Sequence, residues 1–341
     1  MNAPDRAWLE ARKSGIGGSD VAAILGLSPW RSAVDVFLDK TSPVVDLETS
    51  EPMYWGIVLE EVVAKEYSSR TGRKVQRLTK MLSHPEHPWM LANLDRVIVT
   101  PGSRARWEDG KLLGADGLLE CKTASAYKAA EWSANDEDAV PTYYAAQCFW
   151  YLAVTGAQWI DVACLIGGQR YVQKRIERDE AVIASLIERC GAFWHNHVLT
   201  GIAPEPTSGE DAASLFPQDN GELVEANPKT LELIYRAREL KAQIAALELE
   251  LDGDKKAGVM GVTGELKRFI GEASGIAIAG QTLATWKKAQ DGQKTNWKTA
   301  ADEIKGWLIE QDIAGGVDAV RDIIDQNTTT TPGARRLIIK E

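Results

Sequence analysis

The sequence predicts a mixed α/β fold, a central sheet flanked by helices. Three observations carry this. Residues 89–99 and 112–122 read as neighbouring strands. Residues 55–71 and 142–155 hold apolar side chains at helical spacing on either side of them. Residues 160–166 and 171–176 form a hairpin pattern about Gly167-Gly168. Strands and helices mixed in this way pack as layers around one core.

Element by element, the chain opens with a helix over 7–13. The glycine-rich turn Gly15-Ile16-Gly17-Gly18 follows, and Ser19-Asp20 are placed to cap a short apolar helix over 21–25. Ser28-Pro29-Trp30 breaks that helix, and 33–40 forms the next. The helix over 55–71 carries Leu59, Val62, Val63 and Tyr67 on one face and ends at Gly72. A strand over 74–78 precedes the two central ones. Residues 179–198 form a long amphipathic helix.

Between 203 and 228 the composition turns acidic, with Pro204, Pro206, Pro217 and Pro228, and predicts a linker. The predicted division is therefore 1–202, a linker over 203–228, and a C-terminal appendage over 229–341. The appendage begins with a 4-3 apolar alternation, Leu233, Ala237, Leu240, Ile244, Leu247 and Leu251. An antiparallel arm against a helix over 263–272 is favoured over a free coiled coil. A small hairpin turning at Gly280-Gln281, helices over 299–311 and 317–325, and a last strand over 335–340 complete it.

Composition excludes several classes. No apolar run approaches the length of a membrane span, and the charged N-terminus predicts no signal peptide, so a cytoplasmic protein is expected. The four cysteines, 121, 148, 164 and 190, lack metal-ligand spacing and read as buried thiols rather than an iron–sulfur set. The net charge of −10 argues against indiscriminate nucleic-acid binding, although Arg70, Arg73, Lys74, Arg77 and Lys80 cluster without an intervening acid.

The chemistry concentrates in the central strands. Glu120 and Lys122 are two residues apart, so they project from one face while Cys121 points to the other. With Asp95 on the neighbouring strand, two carboxylates and an ammonium converge on core-like elements. Buried carboxylates need a compensating cation. Oxygen donors of this kind suit Mg²⁺ or Mn²⁺, and the set suits phosphodiester hydrolysis. Asp116, four residues before Glu120, rivals Asp95, but Gly114 and Gly117 place it near a turn. Glu60 and Gln147 are further polar groups on apolar helices.

In order along the chain, 8–12 with 15–20, 55–60, Asp95, Glu120-Cys121-Lys122 and 141–147 resemble the phage YqaJ-type recombinase nucleases, relatives of the phage lambda exonuclease in the PD-(D/E)xK superfamily. The ending over 335–340 also looks familial. Glu61 stands where many relatives carry Pro, which leaves Glu60 and Glu61 as alternatives, with Glu60 the better match. The resemblance implies a restriction-endonuclease-like core and a 5′→3′ double-strand exonuclease that resects ends for recombination. It implies two Mg²⁺ or Mn²⁺ ions bridged by Asp95, with Glu120, the Cys121 main-chain carbonyl and Glu60 as further ligands. Lys122 and Gln147 would place the attacking water, and Arg12 and Ser19 would grip the 5′-phosphate. It also implies a ring-shaped homo-oligomer, often a trimer, enclosing DNA and serving a single-strand annealing protein. A single-strand exonuclease or endonuclease of the same fold, a non-catalytic DNA-end binder and a structural protein built on the coiled-coil segment are the alternatives.

Overall fold

The computed structural model describes residues 6–43, 50–132, 140–288, 297–311, 314–326 and 328. The chain divides into two compact units, Met1–Pro217 and Gln218–Glu341.

In the first unit, helix α1 (Arg6–Arg12) leads into β1 (Ile16–Gly17), α2 (Gly18–Ile24), α3 (Ala33–Thr41) and α4 (Glu51–Thr71). Helix α4 ends at Gly72 in the left-handed conformation, where a residue without a side chain is least strained. The strands β2 (Val75–Gln76), β3 (Leu82–Ser83), β4 (Met90–Ala92) and β5 (Arg96–Val99) follow. Next come a hairpin, β6 (Arg106–Glu108) and β7 (Lys111–Leu113), and the long strand β8 (Ala115–Ala124). Helix α5 (Thr142–Thr155) crosses over to β9 (Trp159–Ile166), which turns into β10 (Arg170–Glu177) and α6 (Glu180–Phe193).

The central sheet has five strands in the order β10-β9-β8-β5-β2, antiparallel except for β8 and β9. This is the mixed sheet between helices that the sequence predicts. Alternation along β8 assigns its two faces. Leu119 and Cys121 pack with Val63, Ala64 and Tyr67 of α4. Leu118 packs in the larger core with Cys148 and Leu152 of α5. Tyr67 donates a hydrogen bond to Asp161 at 2.7 Å, and Arg175 grips the same carboxylate at 2.7 and 3.0 Å, which fastens α4 to β9 and β10. The four cysteines are free and buried.

Three local readings are corrected. The strand expected over 89–99 is two strands in two sheets. Strand β4 joins a three-stranded sheet of order β1-β4-β3, and β5 joins the central one. The break at Asn93-Leu94-Asp95 persists because the Asp95 carboxylate accepts the Cys121 N–H at 2.8 Å, a bond that a continued ladder would assign to a backbone carbonyl. The strand expected over 112–122 is also interrupted, at Gly114. Its φ is +70°, and a Cβ there would lie 2.5 Å from the Arg104 carbonyl oxygen. The glycine-rich turn contains β1, and α2 starts at Gly18, with Gly17 as its cap. Asp20 accepts the Gly17 N–H at 3.0 Å, so Ser19 is an exposed residue of the first turn rather than the cap.

The stretch expected to be a linker, 203–228, contains helix α7 (Gly209–Leu215), capped by Ser208, with Asp211 buried and bonded by Thr207. The two units divide within it, after Pro217.

In the second unit, α8 (Pro228–Asp252) is joined through the short ladder β11 (Gly253–Asp254) and β12 (Val259–Met260) to α9 (Val262–Ile270). Leu266 and Phe269 of α9 face Ala246 and Leu249 near the end of α8. Leu233, Leu240, Ile244, Leu247 and Leu251 all remain exposed, so the residues that meet α9 lie beside the predicted seam and leave the seam itself uncovered. The hairpin β13 (Gly275–Ile278) and β14 (Gln281–Thr285) turns at Ala279-Gly280, one residue earlier than expected and with positive φ at both positions. Helices α10 (Trp297–Glu310) and α11 (Gly316–Gln326) follow. The strand expected over 335–340 lies outside the described residues. No helix among the described residues is long and apolar enough to cross a membrane.

Candidate active site

Strand β8 carries the centre of the site. Glu120 is 2 % exposed and lies on the α5 side of the sheet with Lys122. The Lys122 ammonium is 2.7 Å from Glu120 Oε1 and donates to Gln147 Oε1 at 3.1 Å. Gln147 Nε2 donates to the same Glu120 oxygen at 2.6 Å and to the Tyr151 hydroxyl at 3.0 Å. The Lys122 ammonium also lies 4.8 Å from the Tyr144 ring centroid. Tyr144, Gln147 and Tyr151 recur on one face of α5 at helical spacing. That spacing was the available signal for the two tyrosines, which the sequence reading missed.

Asp95 sits at the bend before β5, held to the Cys121 N–H. Burial and the Glu120 charge push its carboxyl pKa well above the ordinary range, against the pull of Lys122. Burial likewise raises Glu120, although Lys122 opposes it. Burial alone would lower Lys122, but Glu120 and Asp95 outweigh it and hold the ammonium charged. Two carboxylates thus share one ammonium.

Glu120 Oε2 is buried without a hydrogen-bond partner. This orphaned oxygen, beside a second carboxylate under strain, fits a hard divalent cation that would supply the missing charge. The Cys121 carbonyl points to the same side as its N–H, toward Asp95 and beyond the start of β5. Cys121 itself turns its thiol into the α4 side, where burial raises its pKa.

Glu60 is placed differently. Its Oε1 accepts from Arg96 and Arg77, at 2.5 and 2.6 Å, while Arg96 also donates to Glu61 at 2.6 Å. Its charge reaches Asp95 and Glu120 electrostatically. No three His, Cys, Asp or Glu side chains among the described residues converge as a ligand set. Asp116 lies apart, exposed and bonded by Thr100 at 2.6 Å.

Asp95 opens onto a cavity of about 210 Å³ that Arg12, Ser19, Met81 and Tyr151 also line. Gly18 allows α2 this close to α5, since a Cβ there would lie 2.5 Å from the Tyr151 ring. Beneath the cavity, Asp20 is fully buried and meets three cations: Lys40 at 2.7 Å, Arg31 at 3.3 Å and Arg12 at 3.8 Å. This cluster was not read from the sequence, because its members are separated by up to 28 residues and no local pattern joins them.

A family model of the YqaJ-like viral recombinase domain matches residues 7–158. A Bacillus subtilis (strain 168) protein described as uncharacterized protein YqaJ is 37 % identical over 250 residues, 71 % of this chain and 73 % of that protein. Among solved structures, an alkaline exonuclease (LHK-Exo) from Laribacter hongkongensis aligns with a TM-score of 0.45 at 22 % identity, over 57 % of this chain and 93 % of that one. A phage-related exonuclease from Haemophilus somnus 129PT aligns with a TM-score of 0.42 at 13 % identity, over 55 % and 96 %.

Proposed function

Because this chain belongs to the YqaJ-like viral recombinase family, we propose that it is a metal-dependent nuclease that resects double-stranded DNA ends in the 5′→3′ direction. One observation carries the reading: an under-neutralised pair of carboxylates, buried Glu120 and half-buried Asp95, beside Lys122, with Asp95 opening onto the cavity of Arg12 and Ser19.

Asp95, Glu120 and the Cys121 carbonyl would hold Mg²⁺ or Mn²⁺, and Glu60 would complete a two-ion site on leaving Arg96. A bound divalent cation supplies Lewis acidity and a lowered pKa for water. The rest belongs to the chain. Lys122 is an ammonium while Glu120 faces it, so it donates hydrogen bonds to water or to a phosphate oxygen. The Glu120 and Asp95 charges hold the ammonium proton, and their hold would loosen once a cation meets those charges, so that Lys122 could then accept a proton from water. Gln147 holds both Glu120 and Lys122 and fixes their spacing. Arg12, backed by Asp20, offers a fork-shaped cation for a terminal phosphate, and Ser19 lies in the first turn of α2, where free N–H groups favour anions. In this reading the chain works as a ring-forming homo-oligomer and passes the exposed strand to an annealing protein.

The test is digestion of a linear duplex labelled separately at each end, with 5′-phosphate or 5′-hydroxyl termini, in Mg²⁺ or in chelator. Metal-dependent release from 5′-phosphorylated ends is expected. Equal rates on 5′-hydroxyl ends would remove the phosphate role of Arg12 and Ser19, and cutting in chelator would remove the metal. Sedimentation as a strict monomer would remove the ring.

A further inference from the structure

Apart from Arg77, which bonds Glu60, the cationic run from Arg70 to Lys80 has no part in the site described above. It places five cations and no acid in eleven residues of a chain whose net charge is −10. The fold lays its later part, Lys74 to Lys80, along one margin of the central sheet, because β2 is the edge strand and pairs only with β5, whereas Arg70 lies over the Tyr171 ring of β10 at 4.4 Å. Arg73, Lys74, Arg77 and Lys80 are all exposed. Arg77 reaches Glu60 at 2.6 Å, and Met81, the next residue after Lys80, lines the cavity of Arg12, Ser19 and Asp95. Arg73, Lys74 and Lys80 have no carboxylate at ion-pair distance among the described residues. Arg73 instead lies over the Trp159 ring at 4.9 Å. Gln76 clasps the Ala105 backbone through bonds of 2.7 and 3.1 Å, which sets exposed Arg104 beside the same margin.

Exposed cations without a carboxylate partner, on a segment that runs into the cavity-lining Met81, match the charge pattern of a nucleic-acid backbone. We infer that the β2 edge, from Lys74 to Lys80 with Arg104, is a DNA-backbone track that leads the duplex to the Arg12–Ser19–Asp95 cavity. Its partners are phosphates, so it positions DNA without reading sequence. The inference rests on the reading of the chain as a DNA nuclease. Edge cations also discourage strand-to-strand aggregation, a role that leaves the salt dependence of DNA binding untouched.

The experiment follows binding of a fluorescein-labelled duplex by anisotropy, in chelator, across a KCl series. Removing one cation that neutralises a phosphate lowers the slope of log K against log salt by about 0.9. The triple substitution Lys74→Gln, Lys80→Gln and Arg104→Gln is expected to lower the slope by about two to three and to weaken low-salt binding at least about 10-fold. Arg170→Gln with Lys174→Gln, on the opposite edge strand β10, is expected to leave the slope unchanged. Lys80→Gln alone, read beside an unchanged thermal midpoint, is expected to lower it by about one and serves if the triple variant folds poorly. A parent that cuts duplex DNA, with both track variants keeping its slope, overturns the track and leaves the nuclease reading standing. A parent that neither binds nor cuts duplex overturns both.

Discussion

Two buried carboxylate clusters share the first unit, and their charge balances run in opposite directions. At Asp20 one acid meets Lys40, Arg12 and Arg31. Burial raises its pKa, but the cations outweigh burial and hold it below the ordinary range. At Asp95 and Glu120 two acids meet one ammonium, burial prevails, and one oxygen has no partner. The Asp20 cluster ties α1, α2 and α3 together, since Lys40 also donates to the Arg12 carbonyl. The Asp95 cluster does the reverse: it places repulsive charge in the core, an arrangement found where a site must bind something cationic. Sign of imbalance, rather than burial, separates a fastening from a site.

That contrast breaks most visibly in activity. Glu120→Gln removes the carboxylate proposed to face the metal but keeps an acceptor for Lys122. Cleavage is expected to fall about 10³-fold or more, about 4 kcal/mol in barrier, with no loss of thermal stability. A variant within tenfold of the parent rate would end the assignment. Next in size, Asp20→Asn leaves Lys40 buried beside a neutral group and is expected to cost roughly 3 kcal/mol in urea unfolding. A depressed carboxyl contributes stability that is complete above the ordinary carboxylate range and is lost as pH falls through its lowered value, so the variant should also show a flatter acid limb.

Smaller effects sharpen the comparison. Mg²⁺ at a hundredfold excess over its dissociation constant should stabilise the parent by about 2.7 kcal/mol, measured as a shift in thermal midpoint, and should leave Asp95→Asn unmoved. In chelator, Asp95→Asn should be more stable than the parent by roughly 1 kcal/mol at neutral pH, since it removes one of two like charges. The sign follows from linkage. With a raised folded pKa, the folded chain holds more protons than the unfolded one between the two values, so parent stability falls as pH rises through that window. Asp20→Asn and Asp95→Asn, the same chemical change, should therefore move stability in opposite directions. Equal signs would erase the distinction.

What could be read beforehand follows the range of the interaction. Helix α5 was legible to the residue, because its limits are set by local signals, Pro141 before it and Gly156 after it. The pairing of Glu120 with Lys122 was legible from strand alternation alone. The bend at Asp95 was not, because the acceptor that replaces the ladder belongs to one strand and the donor to another, 26 residues away. The engagement of Glu60 by Arg96 spans 36 residues and was equally hidden. In the second unit, heptad spacing predicted a seam along α8 that α9 does not cover, because the short ladder between the two helices turns α9 onto Ala246 and Leu249 instead.

The split between β4 and β5 has a consequence for how such a protein can diversify. Asp95 occupies the three-residue joint between two sheets, one of which shapes the cavity while the other bears Glu120 and Lys122. Remodelling the small sheet therefore tugs on the carboxylate itself. Under the proposed reading, end preference is best varied at Trp8, Ser19 or Met81, which line the opening from outside that joint, with Asn93 and Leu94 left as they are.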